Sequence, residues 1–194
     1  ALLPETDPPH KVTIVPRGRA LGLTMWLPEE DRHSYTRTWL ESRLATAFGG
    51  RVAEELVFGP AKVTSGAAGD IEQATMIARR MVTQFGMSDR VGMIAVGDRE
   101  QEIFLGREIH QRREISEQMS EVVDDEIKRL IDDAYAKATV ILSENRVMLD
   151  RMATVLLELE TIDREEIEAI GRGDALPPRA AAPTPLNLPT APPS

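Results

Sequence analysis

The chain has 194 residues and no cysteine, and 32 Asp and Glu against 23 Lys and Arg give it a net charge of −9. That length suits one well-buried core, the missing cysteines exclude disulfides and thiolate metal sites, and the negative balance argues against nucleic acid or anionic lipid as a partner. Any metal must therefore use His, Asp or Glu. No apolar run approaches the ~18 residues of a membrane span and the start lacks a signal-like layout, so the chain as given reads as soluble.

Ala1-Leu2-Leu3, closed by Pro4, reads as the last turn of a helix whose body lies upstream. Lys11 to Val15 and Leu21 to Leu27 carry strand signals around the turn Pro16-Arg17-Gly18. From Ser34 the period becomes helical, with Leu40, Leu44, Phe48, Val52 and Leu56 on one face. Gly49-Gly50 interrupts this run. Either the helix ends there or another backbone approaches closely, and the unbroken spacing favours close approach. Phe58-Gly59-Pro60 stops the helix, and Thr64-Ser65-Gly66 caps the next, which turns Ile71, Ala74, Ala78, Met81, Val82 and Phe85 inward. Residues 109–143 alternate dense charge with apolar positions from Ile115 to Ile141, as in a long amphipathic helix. Shorter helices are expected at 145–158 and 163–170. The fold is therefore mainly α with a small β-hairpin or edge-strand element, in one domain over 1–173. Residues 174–194, rich in Pro and Ala, read as a disordered tail whose removal is expected to leave the melting temperature unchanged.

No self-sufficient catalytic motif is present: the chain has no H-E-x-x-H, no G-x-S-x-G, no P-loop and no dinucleotide fingerprint. His10, His33 and His110 lie far apart and read as surface or turn residues rather than ligands. Spacing alone leaves the function open.

Four segments in order change this: His10-Lys11-Val12-Thr13-Ile14-Val15-Pro16-Arg17-Gly18, Thr24-Met25-Trp26-Leu27-Pro28-Glu29-Glu30-Asp31, Gly49-Gly50-Arg51-Val52-Ala53-Glu54-Glu55 and Thr64-Ser65-Gly66-Ala67-Ala68-Gly69-Asp70-Ile71. With Phe104-Leu105-Gly106-Arg107 and Ile141-Leu142-Ser143-Glu144-Asn145-Arg146, they resemble the peptidase domain of the FtsH-like, ATP-dependent zinc metalloproteases. The likeness covers about residues 1–172.

The resemblance implies a helical zinc peptidase whose H-E-x-x-H motif sits on a helix ending just before Ala1. In such a motif two His at i and i+4 share a helix face and bind zinc, and the Glu is the general base. None of the three is in this chain, so the chain as given is expected to be inactive. Asp70 matches the family's acidic third zinc ligand; the alternative is a first-turn Asp that interacts with its helix N-terminus. Glu54 matches a glutamate near the metal, where it could accept a hydrogen bond from a ligating imidazole, or it is an ordinary helix charge. Glu55 is taken as surface.

The strand Leu21, Gly22, Leu23, Thr24 and Met25 is the candidate substrate-binding edge, with Gly22 leaving room for a second backbone, or else a plain hairpin strand. The resemblance further implies unfolded polypeptide substrates, ATP used by an upstream module, a homo-hexameric ring that the 109–143 helix helps to build, and a parent protein with this domain on the cytoplasmic side of a membrane. The rival from another class is a non-catalytic ring-forming or adaptor domain lacking the zinc motif.

Overall fold

The computed structural model describes residues 2–16, 22–26, 34–96 and 116–179. Helices dominate it, as expected, and the β element is a small antiparallel sheet. Helix α1, Arg37–Ala47, begins at Thr36, whose hydroxyl accepts the Trp39 N–H at 3.1 Å. Leu40, Leu44 and Phe48 are buried along it.

The chain then breaks where a continuous helix was expected. Phe48 has φ −84° and ψ −6°, and a second helix, α2 (Gly49–Phe58), starts on the next residue. No described atom comes within 4 Å of a Cβ built on Gly49 or Gly50, so among the described residues the pair admits no neighbouring backbone. The glycines mark a helix start instead. The apolar spacing survives the break because Phe48 and Val52 enter the same core.

Gly59, at φ 82°, ends α2 in a conformation that only glycine adopts freely. Two short 3-10 turns, Pro60–Lys62 and Ser65–Ala67, lead into α3, Ala68–Thr83. Ala74, Ala78, Met81 and Val82 are completely buried, and the two alanines let α3 lie close to its neighbours α1 and α4. Ile71 and Phe85, expected on the same inward face, are exposed. They sit at the two ends of the stripe, Ile71 in the first turn of α3 and Phe85 just past its last residue.

Helix α4, Glu117–Glu144, is the long amphipathic helix, capped by Ser116 and buried along Val123, Ile127, Leu130, Ala134 and Ala138. The part of it expected over 109–115, with Phe104 to Arg107, lies outside the described residues. Helices α5 (Arg146–Leu159) and α6 (Arg164–Arg172) follow, the second ending at Gly173 in the left-handed region.

The strand between them went unpredicted. β3, Thr161–Asp163, joins β1 (Pro9–Thr13) and β2 (Leu23–Trp26) in an antiparallel sheet of order β2-β1-β3. Three residues are too few to show an alternation, and Ile162 fits the helical period around it. Its side chain is fully buried with Val155, Ile167 and Ile170 in a second apolar cluster, against which Val12 and Leu176 pack. Residues 174–179 thus lie against the domain, past the boundary expected at 173, and 180–194 fall outside the described residues.

Candidate metal centre

Asp70 stands in the first turn of α3, one helical face with Ala74, Ile77 and Met81. Ala74 and Met81 are buried, but Asp70 itself is exposed, and among the described residues no hydrogen bond or ion pair engages its carboxylate. It thus lies at the open end of the buried stripe. Its first-turn place also suits the partial positive charge of the helix N-terminus, so that contribution to helix stability is present as well.

The approach to α3 is held by Glu54. From α2 its Oε2 accepts the Thr64 backbone N–H and its Oε1 accepts the Thr64 hydroxyl, each at 2.8 Å. The Thr64 oxygen in turn accepts the Gly66 N–H at 3.2 Å. These bonds hold the Glu54 carboxyl below the ordinary glutamate range, the backbone N–H contributing most, then the hydroxyl. Glu54 is therefore an anchor for the loop that delivers Asp70, a use that the expected imidazole contact did not foresee. Each carboxylate oxygen has two lone-pair sites, so the two uses are compatible.

Glu55 is not a surface charge. It is half-buried, accepts Arg51 Nε at 2.9 Å and accepts the Tyr135 hydroxyl from α4. The Tyr135 contact, followed by Arg51, depresses its carboxyl, and the same contact raises the phenol of Tyr135. Adjacent glutamates on α2 thus reach in two directions, one to the loop before α3 and one to α4. Thr64 and Tyr135 are the hydrogen-bond partners that sequence reasoning missed. The sequence marks Thr64 as part of a helix cap, but nothing local pairs it with Glu54 ten positions back.

The candidate substrate edge is partly described. Leu23, Thr24 and Met25 lie in β2, Gly22 precedes it, and Leu21 lies outside the described residues. β2 pairs with β1 on one side, Val12 facing Thr24 and Thr13 facing Leu23, and among the described residues nothing pairs with the other. The backbone that comes close to Gly22 is the chain's own: a Cβ there would lie 2.9 Å from the Thr13 carbonyl oxygen. Trp26, beneath the Arg43 guanidinium at 5.1 Å, ties the end of β2 to α1. His10 is exposed on β1, and His33 and His110 lie outside the described residues.

Among the described residues no three His, Asp or Glu side chains gather to hold a metal. The residues present nevertheless fit one vertex of a site: Asp70 is an anionic oxygen donor that no described side chain engages, carried on a loop tied to α2 through Glu54 and Thr64. The remaining ligands would have to come from elsewhere. Among the described residues, no helix is long and apolar enough to cross a membrane.

Comparison with known proteins supplies the family. The profile of Peptidase family M41 matches residues 1–170. The chain is 49% identical over 195 residues to an ATP-dependent zinc metalloprotease FtsH from Synechococcus, covering 98% of this chain and 30% of that protein. It is 54% identical over 175 residues to ATP-dependent zinc metalloprotease FtsH 4 from Sorangium cellulosum, covering 90% of this chain and 27% of that protein. With FtsH 3 from Synechocystis the identity is 46% over 173 residues, covering 88% of this chain and 28% of that protein. The chain thus spans less than a third of the length of the curated relatives it matches. By a match along nearly its whole described length, it belongs to peptidase family M41.

Proposed function

We propose that this chain is the peptidase portion of an ATP-dependent zinc metalloprotease that degrades unfolded or membrane proteins. Its parent would carry the ATPase module and the H-E-x-x-H helix upstream, assemble as a hexameric ring, and hold this domain on the cytoplasmic side of a membrane. The observation that carries the proposal is the Asp70 carboxylate, exposed and without a partner among the described residues, on a loop fixed by the Glu54–Thr64 bonds in a chain that belongs to this family.

Zinc bound there would supply Lewis acidity toward the scissile carbonyl. The chain's own residues would do the rest. Asp70 would give an oxygen ligand and a negative charge to offset the dication that two neutral imidazoles leave uncompensated. Glu54 and Thr64 would keep that oxygen in place, and the edge of β2 that pairs with no described strand would bind an extended polypeptide by main-chain hydrogen bonds that ignore sequence.

The test is hydrolysis of an unfolded protein such as casein by the parent protease. Asp70→Asn should lower the rate by at least about 100-fold, beyond the loss usual for residues that only orient a ligand, and a chelator should abolish what the unaltered enzyme does. Full activity in Asp70→Asn would contradict the assignment. A parent with no H-E-x-x-H directly upstream of Ala1 would instead favour the non-catalytic ring-forming or adaptor role.

A further inference from the structure

Glu166 is a carboxylate with only 2% of its surface exposed. Its Oε2 accepts the Asp163 backbone N–H at 3.0 Å, which closes the capping box at the start of α6. A single neutral donor does not satisfy a buried anion. The remainder comes from Arg179, near the end of the described chain. Its Nε reaches Oε1 at 2.6 Å and its Nη2 reaches Oε2 at 2.9 Å, a two-pronged grip. The same Nη2 also donates to the carbonyl of Thr161 in β3. One guanidinium therefore holds the first turn of α6 and a strand of the sheet together.

The segment leading to Arg179 follows a fixed course. The Asp174 N–H donates to the Ala169 carbonyl at 2.9 Å, its carboxylate accepts Arg172 Nε at 2.7 Å, and its carbonyl accepts Arg151 from α5. Leu176 packs on the cluster that contains Ile162 and Ile170. From β3 the connection continues: Ile162 faces Val12 in β1, and Val12 faces Thr24 in β2. The Ile14 N–H closes the end of this ladder on the Glu160 carbonyl at 2.9 Å.

We propose that Arg179 is a positioning residue: residues 174–179 form a strap whose guanidinium locks β3 to α6 and, through β1, fixes the edge strand β2. Its bearing on substrate rests on the assignment of β2 to polypeptide binding made above; its bearing on the sheet does not. A lysine at 179 could not reproduce it, since one ammonium cannot span both carboxylate oxygens and the Thr161 carbonyl in a planar fork.

The experiment is amide hydrogen exchange on the complete 194-residue chain, comparing the unaltered protein with Arg179→Ala and Arg179→Lys. Arg179 is half-exposed at the end of the domain, so both variants should fold. In Arg179→Ala the Ile14 amide and those of β3 should exchange about tenfold faster, the lower end of what a buried carboxylate short of donors costs. Arg179→Lys should fall between, and the α3 amides of Met81 and Val82 should keep their rates. A stop codon after Asp174, which also removes Leu176 from the apolar cluster, should accelerate the same amides at least as much as Arg179→Ala, whereas one after Arg179 should change nothing. Unchanged exchange at Ile14 and β3, or equal acceleration throughout the chain, overturns the strap. In the parent protease, Arg179→Ala should raise KM for unfolded protein severalfold with kcat retained. Faster exchange with an unaltered KM would leave the strap standing and remove β2 as the substrate strand.

Discussion

Glu126→Gln measures how firmly the end of α3 is tied into the core. Glu126 lies on α4 with 1% of its surface exposed. Its Oε2 accepts the Ser88 hydroxyl at 2.7 Å and Arg129 Nη2 at 3.1 Å, its Oε1 accepts Arg129 Nε at 3.1 Å, and Arg90 stands 3.6 Å away. Ser88 belongs to the segment that leaves α3, pinned by Met87 N–H on the Met81 carbonyl and Val96 N–H on the Thr83 carbonyl, both at 2.9 Å. Glutamine keeps the volume but turns one oxygen into a donor that faces other donors. Breaking a fully buried ion pair costs about 3–5 kcal/mol. Arg129 and Arg90 are half-exposed and regain water, so about 2–3 kcal/mol is expected here.

Urea unfolding followed by far-UV circular dichroism reads this directly. With a slope near 2 kcal/mol per molar, the midpoint should fall by about 1 M at pH 7. The sign of the pH dependence follows from Arg129 first, then Ser88, which outweigh burial and hold the folded carboxyl below its unfolded value. That stability is complete above the unfolded value and lost as pH falls through the folded one. The gap between the two proteins should therefore be full at neutral pH and narrow below about pH 4. A loss under about 0.5 kcal/mol, the range of ordinary surface substitutions, or a gap that widens in acid, would refute the reasoning.

Gly22→Ala should destabilise the chain by about 1–2 kcal/mol, since the new methyl meets a backbone oxygen that can yield only by opening the β1–β2 pairing. An unfolding free energy unchanged in urea would show that the close approach is not tight. Thr64→Val removes the hydroxyl that bonds Glu54 without changing shape. In a chain extended upstream to the motif helix, it should weaken zinc binding about tenfold with unaltered circular dichroism. Undiminished affinity by competition with a chromogenic chelator would mean that the loop does not position Asp70.

What the sequence made legible is what periodicity and caps encode locally. Leu40, Leu44, Phe48 and Val52 marked the core face before the structure did, and Thr64-Ser65-Gly66 marked the entry to α3. Periodicity could not see the break at Phe48, because two helices that share a core can keep one spacing across a bend. β3 was hidden because three residues are shorter than any pattern, and its partner β1 is about 150 residues away in sequence. At the candidate site Asp70 and Glu54 were named from resemblance, while the hydrogen bonds of Glu54 to Thr64 and of Glu55 to Tyr135 are tertiary facts. Glu55 is taken as surface in the sequence, and the fold brings the Tyr135 hydroxyl of α4 onto it.

The central claim is that Asp70 gives an oxygen to zinc, and metal content tests it most directly. In the chain extended upstream to include the motif helix, zinc per protein should be measured after dialysis for the unaltered protein, Asp70→Asn and Glu72→Gln. Glu72 is an exposed carboxylate two residues along α3 and serves as the control that Glu55 cannot be. The account predicts about one zinc in the unaltered protein and in Glu72→Gln, and under about a tenth of that in Asp70→Asn, with helix content retained in all three. If Asp70 only complements the helix N-terminus, asparagine serves nearly as well there, and full zinc in Asp70→Asn would contradict the account.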